Sequence, residues 1–127
     1  MTHWGSIEYA RAGETHVAYQ TIVGDASSDR IIVMVNGFFY PLEVFGDDPG
    51  ARRLVEGLAA LGTLVMFDRR GIGLSDQILD WDTHLVDQWV DDLEAVIDAV
   101  GVERVSVFSW HGAGTGRRFA ARHPDRL

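Results

Sequence analysis

Arg104-Val105-Ser106-Val107-Phe108-Ser109-Trp110-His111-Gly112-Ala113-Gly114-Thr115-Gly116 is the stretch whose reading decides the fold. Its first half is apolar and rich in β-branched residues, which predicts a buried strand. It then turns on small residues and continues as Arg117-Arg118-Phe119-Ala120-Ala121-Arg122, which predicts a helix. A strand that passes through a tight small-residue turn straight into a helix is the setting of a nucleophile elbow. There one side chain stands on a strained turn at the top of a sheet, with a backbone N–H behind it. The usual pattern is Gly-x-Ser-x-Gly, and the five positions here are Ser109-Trp110-His111-Gly112-Ala113. The flanks are small, as the turn needs, but the centre is His111. A frame shifted by two would centre Ser109, but Val107 would then crowd the turn.

The rest of the chain supplies the sheet around this stretch. Ile31-Ile32-Val33-Met34-Val35 is a continuous apolar run, and its lack of alternation fits a strand covered on both faces. Asn36-Gly37-Phe38-Phe39 leaves it in a loop. A helix follows, with Leu54, Val55, Leu58 and Leu61 spaced for one buried stripe, and Gly62 stops it. Leu64-Val65-Met66-Phe67 is the next buried strand, and Asp68 to Asp76 is a glycine-punctuated loop. A long helix is expected from about Thr83 to Val100, with Leu85, Trp89, Leu93, Val96, Ile97 and Val100 inward, ending at Gly101. At the front, Ser6 to Ala10 and His16 to Val23 predict a hairpin joined at Ala12-Gly13-Glu14. Gly24-Asp25-Ala26-Ser27-Ser28-Asp29 is a polar loop.

The order after the hairpin is strand, helix, strand, helix, strand, helix. Parallel strands need crossovers of this length. The fold class is therefore α/β, an open, mostly parallel sheet flanked by helices, in one unit over 1–127 without an internal boundary or repeat. Sites in such sheets form beyond the carboxyl ends of the strands. Three glycine-rich loops meet there: Asn36 to Tyr40, Asp68 to Asp76 and Ser109 to Gly114.

Composition narrows the function classes. The chain has 127 residues, a hydrophobic fraction of 46% and a charged fraction of 24%, which suits a folded domain. There is no cysteine, hence no disulfide framework and no thiolate metal site. No apolar run approaches a membrane span, and Met1-Thr2-His3-Trp4 does not begin a signal peptide, so a cytoplasmic protein is expected. The formal net charge is −8, and every basic residue is arginine. Such acidity argues against non-specific nucleic-acid binding. Gly71-Ile72-Gly73 lacks the third glycine and the helix of a dinucleotide fingerprint, and no cofactor or metal is expected.

Several side chains carry competing readings. Asp68 ends a strand at the site face, yet Asp in such a turn more often bonds loop N–H groups. Trp110 either lines a pocket or packs beside the elbow. Phe39, Tyr40 and Phe45 either line an acyl pocket or cover the core. Asp47-Asp48 and Asp91-Asp92 read as solvated faces or helix-terminus charges. Arg117-Arg118 near a helix start opposes the helix dipole and marks either an anionic ligand or a salt bridge.

Asn36-Gly37-Phe38, Asp68-Arg69-Arg70-Gly71-Ile72-Gly73-Leu74-Ser75 and the elbow together resemble the N-terminal half of an α/β-hydrolase. The second run is close to the D-x-R-G-x-G-x-S pattern of that superfamily. The opening Ile7-Glu8-Tyr9-Ala10-Arg11 and His16-Val17-Ala18-Tyr19-Gln20 is similar to hydrolase modules found N-terminal to bacterial nucleotide cyclases. The resemblance covers the first five strands and three helices of that fold. It implies a nucleophile position at His111 and an oxyanion hole from the backbone N–H groups of Gly112 and Phe38. The superfamily's acid and histidine lie later in chain order, so His3, His16, His84 and His123 take no role from it.

Two functions follow as expectations. One is a hydrolase homologue of ester or acyl ancestry, with His in the nucleophile's place and no triad acid or base within the chain. The readings of an imidazole there are a nucleophile, a general base, or a side chain that only fills the pocket. The other is a non-catalytic ligand-sensing or interaction module of the same fold, regulating a fused domain. The partners expected are a small-molecule ligand or substrate, and either the remainder of a longer chain or a second copy. Either would cover the sheet edge that the last strand leaves open.

Overall fold

The computed structural model describes residues 2–25 and 27–127; Ala26 of the expected polar loop and Met1 lie outside them. Six strands form one sheet: β1 (His3–Trp4), β2 (Glu8–Ala12), β3 (Thr15–Val23), β4 (Ile31–Asn36), β5 (Thr63–Phe67) and β6 (Ser106–Trp110). The order across it is β1-β3-β5-β4-β6, with β2 also paired to β3. Both β4–β5 and β4–β6 are parallel, so the half of the sheet that carries the site is parallel. The β3 pairings with β1, β2 and β5 are antiparallel.

The expected hairpin forms two residues later than its first strand was read. That strand runs on to Ala12, and the turn sits at Gly13, whose φ of 62° needs glycine. The two-residue β1 is too short for any periodicity to reveal.

Helices cover both faces of the sheet. On one face lie α1 (Leu42–Phe45) and α2 (Pro49–Ala59). Phe45, Val55, Leu58 and Ala59 pack there against Ile32, Met34, Leu64 and Met66. Asp48 caps α2, its carboxylate accepting from Ala51 N at 2.7 Å. Val55 and Leu58 are buried as expected, but Leu61 is 57% exposed, because α2 ends at Ala59 before its stripe reaches that residue. On the other face lie α3 (Leu85–Val100) and α4 (Ala113–Arg122). Val90, Leu93, Val96, Ile97 and Phe119 pack there against Val33, Val35, Val65 and Phe67. The apolar strands alternate their residues between these two clusters, which is why their runs show no polar positions. Gly101, at φ 85°, closes α3.

One charged residue corrects the sequence reading. Asp91 is solvated, but its neighbour Asp92 is fully buried. Its carboxylate takes Arg70 N at 2.8 Å and Arg70 Nη2 at 2.7 Å. Gln88 accepts from Arg70 Nη1 at 3.1 Å. The pair ties the loop after β5 to α3, which no pattern of exposed acidic residues announces.

Candidate functional site

The three loops at the carboxyl ends of β4, β5 and β6 converge as their glycine content suggested. His111 follows β6 with φ 58°, the one non-glycine among the described residues in the left-handed region. An L-residue pays about 1–2 kcal/mol for that conformation, and it holds only where the surroundings over-determine it. They do so here. Asn36 and His111 form an isolated bridge, and Gly37 N donates to Trp110 O at 2.9 Å. A Cβ at Gly37 would collide with the carbonyl oxygen of His111, and one at Gly112 would lie 2.7 Å from Val35 Cγ1. Glycine at both positions lets the backbone of β4 approach the turn closely. α4 then begins at Ala113, with Gly112 as an N-cap that offers no side chain to the first helical N–H groups.

The imidazole of His111 is exposed and makes no hydrogen bond or ion pair with any described residue. Its ring lies against those of Phe38 at 5.0 Å and Trp110 at 5.5 Å between centroids. Phe38 is half exposed, and its N–H already donates to Asn36 Oδ1 at 3.0 Å. The same amide anchors the loop's far end, Asn36 Nδ2 donating to Tyr40 O at 2.7 Å. Ser109 stays inside β6, at a surface hollow with Gly116, Ala120 and Leu127, away from His111's cavity.

That cavity measures about 200 Å³ and is lined by His111, Gly112, Gly114 and Thr115 from the elbow, Val35 to Gly37 from β4, Phe67 and Arg69 from the β5 end, and Val86 and Trp89 from α3. Trp110 is not part of it. Its ring packs beside the elbow against Tyr40 at 6.1 Å and Phe45 at 5.8 Å. Phe45 is core, whereas Phe39 is 80% exposed, its ring under the Arg69 guanidinium at 6.0 Å.

Asp68 points away from the cavity. Its carboxylate accepts from Leu42 N at 2.9 Å and Leu74 N at 3.0 Å, so it joins two loops. Burial raises its pKa above the ordinary carboxylate value, against those two bonds, which lower it. Ser75 continues the brace, its hydroxyl bonding Asp68 O and accepting from Ala18 N at 2.8 Å. Arg117 and Arg118 divide: Arg118 pairs with Asp87 at 2.9 Å across to α3, so the salt-bridge reading holds for that residue.

Sequence reasoning passed over Arg69. It is 9% exposed, lies against Trp89 at 4.6 Å from the ring centroid, and lines the cavity. Its Nη1 donates to Asn36 O at 2.7 Å and Phe38 O at 3.2 Å, bracing the loop that faces His111. Burial lowers its pKa, though an arginine stays charged. The signal available was an arginine at the variable second position of the D-x-R-G run, where the pattern itself asks for no charge.

A strained turn joins the end of a parallel strand to a helix, backed by two close-packed glycines, within a mixed sheet flanked by helices on both faces, and the chain has the fold of the α/β-hydrolase superfamily. Among solved structures it is similar to the 2-hydroxy-6-oxo-6-phenylhexa-2,4-dienoate hydrolase of Rhodococcus sp. strain RHA1, with a TM-score of 0.77 at 14% identity over 99% of this chain and 44% of that one. By sequence it is 31% identical over 119 residues to a Caulobacter sp. (strain K31) protein described as "Putative carbamate hydrolase RutD", covering 92% of this chain and 42% of that protein. It is also 40% identical over 63 residues to the bifunctional esterase/perhydrolase DCH of Acinetobacter calcoaceticus, 49% of this chain and 22% of that enzyme. The chain thus spans less than half the length of these relatives. No family model matches it. Fold and relatives give the chain an α/β-hydrolase ancestry. Among the described residues no helix is long and apolar enough to cross a membrane.

Proposed function

We propose that this chain forms the elbow-bearing half of an ester- or acyl-hydrolase-type site in which His111 stands in the nucleophile's place. The observation that carries this reading is the φ of 58° at His111, held by glycines on both sides of the contact. A turn kept in that conformation presents its side chain to the cavity beside it. The relatives' names, a carbamate hydrolase and an esterase/perhydrolase, support an acyl-type substrate.

The chemistry proposed for His111 is nucleophilic. A neutral ring nitrogen attacks the acyl carbon, the bond to the leaving oxygen breaks, and the proton on the other ring nitrogen passes to that oxygen, which departs as the alcohol and leaves a neutral acyl-imidazole. Water then attacks the acyl-imidazole, releasing the acid and the free imidazole. Gly112 N–H is the proposed oxyanion donor. Phe38 N–H joins it once Asn36 Oδ1 releases that bond. One such donor typically contributes about a hundredfold in rate.

A second reading is favoured by the absence, among the described residues, of any hydrogen-bond partner that would orient the His111 ring. A base without an orienting group is a poor catalyst, and such a site binds its ligand rather than turning it over. It would then serve as a sensing module, as in the cyclase-linked proteins that the opening strands resemble. Hydrolysis of p-nitrophenyl acetate by the full polypeptide that carries this chain separates the two. Activity abolished by His111→Ala supports the first reading. No activity in the parent, with activity gained in His111→Ser, supports the second.

A further inference from the structure

Arg69 is a buried cation that feels the charge of the neighbouring Asp68 but forms no ion pair with it, and its guanidinium lies over the rings of Trp89 and Phe39. Its Nη1 is used by Asn36 O and Phe38 O, but Nε is buried with no acceptor, and no described residue accepts from Nη2. Among the described residues no carboxylate forms an ion pair with Arg69. The neighbouring Asp68 carboxylate is committed to Leu42 N and Leu74 N. Buried charges are ordinarily paired, because taking a lone ion out of water is costly. Across the same cavity stands the N-terminus of α4, a ten-residue helix with no side-chain cap, whose first N–H groups carry the positive end of the helix dipole.

We propose that the cavity takes a ligand bearing a carboxylate, held between Arg69 and the N-terminus of α4, with its apolar body against Val35, Phe67, Val86 and Trp89. The charge balance favours a monoanion: one guanidinium and one helix end face the cavity, and none of its lining residues is acidic. A volume of about 200 Å³ suits a body of one small ring, since a cavity of about 150 Å³ accommodates benzene. The inference names the substrate class of the site proposed above and rests on that reading for turnover, though not for binding.

Benzoate and benzamide have nearly the same shape and differ in charge, so their binding to the full polypeptide, followed by calorimetry and by amide shifts of Ala113 to Thr115, tests the proposal. A charge-assisted contact predicts benzoate tighter by about tenfold or more, with the shifts centred on those amides. Arg69→Gln is expected to abolish that preference, whereas Arg117→Gln, outside the cavity, is expected to keep it. Arg69 also braces the loop, so the comparison of the two ligands on the unaltered protein stands without the variant. Equal binding, no binding of either ligand at millimolar concentration, or a benzoate preference that survives Arg69→Gln would each overturn the proposal. Hydrolysis of the neutral p-nitrophenyl acetate is scored separately. Benzoate binding without hydrolysis defeats only the catalytic reading, and hydrolysis without a benzoate preference defeats only this one.

Discussion

The strain at His111 belongs to its backbone, not to its ring. Glycine adopts φ 58° without a Cβ penalty, so His111→Gly is expected to stabilise the chain by up to about 1 kcal/mol in urea unfolding while removing the imidazole. A β-branched residue there is expected to do the reverse. Two carboxylates respond oppositely to pH. His16 N and the His16 ring lower the pKa of Asp76, so its contribution to stability is complete above the unfolded value and is lost as pH falls through the folded one. Burial raises the pKa of Asp68, so its contribution is complete below the unfolded value and is lost as pH rises through the folded one. Stability measured in steps around about pH 4 is expected to lose its acid-side decline in Asp76→Asn. In Asp68→Asn it is expected to lose the opposite slope. Single residues were also where the sequence was least legible. Arg69 and Asp92 are charged types that normally sit in water, and only the loop-to-helix packing around them reveals that both are buried.

At the scale of elements, the strands around the site were readable because burial on both faces writes an uninterrupted apolar run. The tight turn between β6 and α4 was readable because small residues must follow such a strand. What was not readable is how the loops are held. The loop after β5 is fastened to α3 by Arg70–Asp92, to β3 by Ser75 and Asp76, and to the start of α1 by Asp68. None of these partners is near the loop in sequence. Asp92→Ala leaves the Arg70 guanidinium, 12% exposed, without its carboxylate, and breaking a buried pair from one side costs about 3–5 kcal/mol. The expected result is an unfolding free energy lower by that amount, read as a lower urea midpoint. Faster hydrogen exchange at Arg70 to Leu74 would place the loss in this loop.

Over the whole molecule, β6 pairs with β4 on one side, and among the described residues no strand pairs on its other side. An unpaired strand edge is a template for another chain. The 127-residue chain on its own is therefore expected to associate, with a sedimentation coefficient that rises over the micromolar range. A concentration-independent monomer would count against this. The fold class was legible across the chain because the order of elements limits the topology.

The close backbone contact between Gly37 and the turn at His111 has one more consequence. It makes the elbow a socket whose shape is fixed by main chain, while position 111 holds an interchangeable plug. Under the proposed function, a single codon then changes what the pocket does to its ligand while the main-chain contact that shapes the turn stays in place.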